Sequence, residues 1–245
     1  MFSLYLVSQM VGLTLAQLLL NAGNPRTPIL FALSAAIFVV GAVPIWFARG
    51  RAPAQAPPVP FNIIALMRLS PMGAAATALS GVSWAIVFTF GPVYAQRAGF
   101  SISEISLFMG VAMVGGALMQ FPLGWLSDAI GRRATIFFMS LGGVAASLLG
   151  LWLHAMPHVY QYLPFALIGA LVLPLYGLGA AHTNDHVAPQ TRVAAAAGLV
   201  LLFGLGSILG PLVVGSAITT LGAGGFFVVL AGVMGLSVAA CALPR

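Results

Sequence analysis

The chain has 245 residues, with nine arginines, no lysine and three acidic side chains for a net charge of +6; 61% of it is hydrophobic and its mean hydropathy is +1.09. Charged residues make up 5%, against roughly a quarter in a soluble domain, which excludes a water-facing globular surface. The apolar runs are continuous over about twenty residues, which excludes the alternating ten-residue strands of a β-barrel and leaves an all-α, polytopic helical membrane protein.

Eight apolar windows predict spans at 2–21, 28–48, 67–96, 104–127, 134–153, 161–182, 193–217 and 223–243. The first lacks a basic leader and a small-residue cleavage site, so it reads as an interior membrane helix rather than a signal peptide. Its Gln9 and Gln17 lie on one face, suited to interhelix hydrogen bonding or to lining a cavity. The longest polar break runs from Arg49 to Arg68. With Pro53, Pro57, Pro58 and Pro60 it predicts an extended, semi-rigid linker rather than a helix.

The third span is long enough to tilt or bend, and Pro92 helps it do so. It carries Ser80, Ser83, Trp84, Phe88 and Tyr94, of which Ser80, Trp84 and Phe88 share a face at spacings of four. Both solute contact and plain helix packing fit those residues. Between the fourth and fifth spans, Gly124 to Arg133 forms a charged knot. Gly124 suits a close approach, Asp128 suits the positive N-terminal end of a neighbouring helix, and Gly131 suits a backbone reversal. Arg132 and Arg133 hold the turn on one side of the membrane.

At the end of the sixth span lies His182-Thr183-Asn184-Asp185-His186. Two histidines four apart superficially suggest a zinc helix, but a third ligand is hard to find, because His154, His158 and Glu104 fall at the opposite membrane face. His182 and His186 also suit the carbonyl end of a helix, and His182 with Asp185 suit a titratable gate. No metal site is assigned. The seventh span contributes Gly206-x-x-x-Gly210, with Gly198 and Gly215, as a close-packing surface. Phe203 there and Tyr176 in the sixth span are further cavity candidates. The lone Cys241 has no internal disulfide partner.

Arginine placement sets the orientation. Arg49, Arg51, Arg68, Arg132, Arg133, Arg192 and Arg245 fall on one side of an eight-span chain, and Arg26 and Arg97 on the other. The positive-inside rule makes the first side cytoplasmic, with both termini. Scattered in loops, these arginines serve topology, and no nucleic-acid partner is expected.

Gly124, Leu126, Asp128, Gly131, Arg132 and Arg133 together resemble the signature loop of the major facilitator superfamily of secondary transporters, with Ala129 where a basic residue is frequent. The stretches 120–124 and 204–211 and the end of the first span at 17–20 look like the YcaD-type branch. The resemblance implies a twelve-helix scaffold of two six-helix halves. Residues 1–48 would then be the last two helices of an N-terminal half, 49–66 the linker, and 67–245 a complete C-terminal half. The first four helices would be absent, as in a truncated reading frame or a fragment of a twelve-helix protein, with the missing helices supplied by a longer product.

The implied function is transport of a small solute by alternating access in the bacterial cytoplasmic (inner) membrane. That scheme needs no enzyme chemistry and no cofactor; its partners are lipid and solute. Solute would bind at mid-depth, making Gln9, Gln17, Ser80, Ser83, Trp84, Phe88, Tyr94, Tyr176 and Phe203 the candidate contacts. A non-transporting membrane fragment and a membrane-embedded metalloenzyme centred on 182–186 are the other readings the residues leave open.

Overall fold

The computed structural model describes residues 2–24, 27–47 and 62–243. Every regular element of the described backbone is a helix, with no strand among the described residues. Helix α1 (Phe2–Leu18) runs into a 3₁₀ turn, Leu19–Ala22, and α2 (Ile29–Phe47) follows. After α3 (Ile63–Leu69) comes a bent run, Pro71–Arg97, made of α4 (Pro71–Ala85), a π segment at Ile86–Phe90 and α5 (Gly91–Arg97). Then come α6 (Ile102–Ile130), α7 (Arg132–Leu153), and α8 (His158–Val172) with α9 (Leu175–Asn184). A short 3₁₀ turn leads into α10 (Arg192–Leu221), and α11 (Gly225–Ala240) ends the bundle.

Five of these runs are long and apolar enough to cross a membrane, and three shorter apolar helices lie at 11–22, 29–44 and 225–240. Each of the eight predicted windows overlaps one of them. Helix α10 packs on α4, α6 on α8, α7 on α11 and α8, and α1 on α6. Helix α2 meets the 3₁₀ turn after α1, and its Phe31, Phe38 and Trp46 remain exposed. Lipid offers no hydrophobic drive for helix association, so close packing has to supply it. It does so in two ways. Tyr94, Phe108, Phe165, Phe226 and Phe227 interlock as a fully buried aromatic core, with Phe108 and Phe165 stacked at 3.8 Å. Along the α4–α10 seam, glycines admit the opposite backbone. A Cβ at Gly81 would collide with the Phe203 carbonyl, and one at Gly206 with that of Ala78.

Three expectations change at this level, and the bend of the third span is given its place. The linker does not stay extended to residue 66. Asn62 caps a helix by accepting from the Ala65 N–H at 3.0 Å, and Leu66 buries against Ala195 and Leu199, so α3 begins at Ile63; most of the linker, 48–61, lies outside the described residues. The bend in the third span sits upstream of Pro92, as the π segment. Pro92 has no N–H for the Phe88 carbonyl, and its ring crowds that turn, so the register widens there. The charged knot is mostly helix, because α6 continues to Ile130. Gly131 alone makes the reversal, at φ +86°. Gly124 meets no close neighbour, since a Cβ there would find nothing within 4 Å.

Candidate functional site

The reversal at Gly131 throws Arg132 and Arg133 onto the first turn of α7, beside the end of α9. A cavity of about 550 Å³ opens there, lined by Gly131, Arg132, Arg133, His182, Asp185 and Cys241 among others. The knot and the His182–His186 stretch, separate in sequence, are therefore one structure. Arg132 Nε donates to Asp185 Oδ2 at 2.6 Å, while its Nη1 donates to Ser127 Oγ at 3.1 Å. Asp128 stands 3.9 Å from the same guanidinium, its side chain 77% exposed. It does not cap a helix: α7 has Gly131 at its N-cap and no side-chain cap bond. Arg132 thus ties the α6–α7 reversal to the end of α9.

That arrangement engages two of the groups that a metal would need. Asp185 is engaged by Arg132, and His186 Nδ1 lies 2.8 Å from the His182 carbonyl. The two imidazoles sit 4.8 Å apart, tilted by 52°. His182 is buried at the cavity wall.

Around Trp84 and Phe203, near the middle of the runs Pro71–Arg97 and Pro189–Leu221, a second group gathers. Trp84 and Phe88 stack at 4.9 Å, Phe203 meets Trp84 edge-on at 6.0 Å, and Tyr176 meets Phe203 edge-on at 5.1 Å. All four are partly exposed. Trp84 Nε1 donates to the Leu173 carbonyl at 3.0 Å, at the break between α8 and α9.

The other candidates lie elsewhere. Ser80 and Ser83 are fully buried, with their hydroxyls turned back to the carbonyls of Thr77 (2.7 Å) and Leu79 (2.8 Å). Tyr94 is in the aromatic core, and its hydroxyl donates to Gln161 Oε1 at 2.6 Å. Gln9 is exposed on α1; the Gln17 carbonyl accepts the hydroxyl of Ser106 on α6.

The far end of the bundle carries a pair that sequence reading missed. His158 Nδ1 lies 3.1 Å from Glu104 Oε1 and Nε2 lies 3.1 Å from the Ala98 carbonyl, while the ring stacks on Phe100 at 3.9 Å. Glu104 also closes the capping box of α6 with Ser101. The signal was present only as a Ser-x-x-Glu start and a histidine 54 residues on.

Residues 73–245 match the family model of the Major Facilitator Superfamily. A protein of Escherichia fergusonii named uncharacterized MFS-type transporter YcaD is 26% identical over 213 residues, 84% of this chain and 53% of that protein. The Bacillus subtilis uncharacterized MFS-type transporter YfkF is 32% identical over 151 residues, 62% of this chain and 36% of its own. A YcaD protein of Shigella flexneri is 25% identical, again over 84% and 53%. The chain spans about half the length of the YcaD relatives it matches.

Proposed function

The chain belongs to the major facilitator superfamily, and from that premise we propose that it serves secondary transport of a small solute by alternating access. The Arg132–Asp185 bond carries the reading. It crosses between two spans at one end of the bundle, in the turn whose residues match the family signature, and a contact of this kind can hold one packing of the helices against another. In this reading Gly131, Arg132 and Asp185 form a latch, His182 lines the gate behind it, and Arg133 and Asp128 contribute charge. The arginine asymmetry supports a cytoplasmic position for the latch and the termini in a bacterial inner membrane. We place solute contact at Trp84, Phe88, Tyr176 and Phe203, and assign Ser80, Ser83 and Tyr94 to packing.

Cys241 is the chain's single cysteine, 7% exposed in the wall of the cavity, so it reports on the latch without any knowledge of the solute. Its rate of alkylation by a membrane-impermeant maleimide is to be measured in inside-out vesicles. Arg132→Gln and Asp185→Asn should each raise it about two- to fivefold, as loss of one exposed ion pair implies. Identical rates in the wild type and both variants would refute a conformational role for this end of the bundle, and with it the transport reading.

A further inference from the structure

We infer that Trp84, Phe88, Tyr176 and Phe203 form a stacking site for an uncharged, ring-bearing solute. The inference rests on the transport reading and narrows it to a substrate class.

The first argument is what this depth of the bundle lacks. Trp84 lies near the middle of the run Pro71–Arg97, and Phe203 near the middle of the run Pro189–Leu221. All three acidic residues of the chain sit at helix ends: Glu104 in the first turn of α6, Asp128 in its last turn, Asp185 at the C-cap of α9. The described arginines follow suit, with Arg68 and Arg97 in last turns and Arg132, Arg133 and Arg192 in first turns. A compact ion at mid-depth would meet no opposite charge among the described residues, and an unpaired ion in that medium is strongly disfavoured.

The second argument is that the nearby polar atoms are already engaged. The Trp84 N–H is taken by the Leu173 carbonyl, and the hydroxyls of Ser80, Ser83 and Ser207 by carbonyls of the preceding turn of their own helices. What Trp84 offers a ligand is its ring. The four rings meet through one stacked and two edge-on contacts, geometries that another aromatic ring can extend. The π segment Ile86–Phe90 contains Phe88 and begins two residues beyond Trp84; such segments recur at functional sites.

The test uses the full chain in lipid nanodiscs and benzophenone, a neutral diaryl ketone. On irradiation its carbonyl oxygen takes a hydrogen from a nearby C–H bond, and the two carbons then join. Peptides from 71–97 and 192–221 are mapped by mass spectrometry. Competitors share one ring system and differ in charge: 2-naphthalenemethanol, 2-naphthalenesulfonate and trimethyl-2-naphthylammonium. The neutral alcohol should suppress labelling about fivefold where the charged compounds do not, and Trp84→Ala and Phe203→Leu should each cut it by a similar factor. Trp84→Phe should retain most of it; if Trp84→Ala fails to fold, Phe203→Leu decides. Equal competition by either charged compound, or undiminished labelling in both variants, overturns the inference. Absent labelling in a protein whose Cys241 still responds to Arg132→Gln overturns the substrate class and leaves the transport reading standing.

Discussion

Arg132 makes three polar contacts from one guanidinium, and they are unequal. The Asp185 oxygen is at 2.6 Å, whereas Asp128 is at 3.9 Å and mostly in solvent. Asp128→Asn should therefore change Cys241 alkylation less than Asp185→Asn does, and the charge-swapped pair Arg132→Asp with Asp185→Arg should bring the rate back toward wild type. Deeper in the bundle, Tyr94→Phe removes the donor for a buried Gln161 oxygen at 2.6 Å. A loss of about 1–3 kcal/mol is expected, read as a lower unfolding midpoint in detergent, because the orphaned acceptor has no water to turn to. Arg132, Asp185 and Tyr94 stood out in the sequence, whereas Gln161 was not singled out there. The partnerships did not stand out, because Arg132 and Asp185 are 53 residues apart and Tyr94 and Gln161 are 67 apart. Hydrophobic periodicity says which residues are interior and nothing about which interior residues meet.

Among the elements, the α4–α10 seam is the most demanding fit. Gly206 and Gly210 were legible as a small-residue surface, but their partner was not, since no pattern marks α4 as the helix that receives them. The third span was legible as bent, and Pro92 as the agent; the π segment before it depends on how the freed carbonyl is accommodated, which is a tertiary matter. The seam yields a paired prediction. Gly206→Ala and Gly81→Ala should lower the unfolding midpoint, because each Cβ runs into backbone that cannot step aside. Gly204→Ala, two residues from Gly206 with nothing within 4 Å of its Cβ, should leave it unchanged or raise it. Equal effects at 204 and 206 would mean that helix propensity, not the seam, governs this surface.

For the molecule as a whole, the all-helical membrane architecture was the most legible property, because bilayer thickness sets the length of an apolar run directly. The distribution of function along its depth was much less so. One end holds the Arg132–Asp185 bond, the other the Glu104–His158 pair, and the aromatic group lies between them. The α4–α10 seam has a further consequence, in time rather than in space. Ser207 Oγ lies 3.2 Å from the Gly81 carbonyl across a separation of 126 residues, so the tightest join is closed by a helix synthesised long after its mate. Until α10 emerges, α4 must wait in the bilayer with its glycine groove open. Ribosome-bound chains arrested before residue 189 should therefore show α4 readily cross-linked to lipid or to insertion machinery from a photoreactive side chain at Ala78, and chains released past residue 221 should not. Biogenesis, more than folded-state stability, is then where a defect in this seam would first be felt.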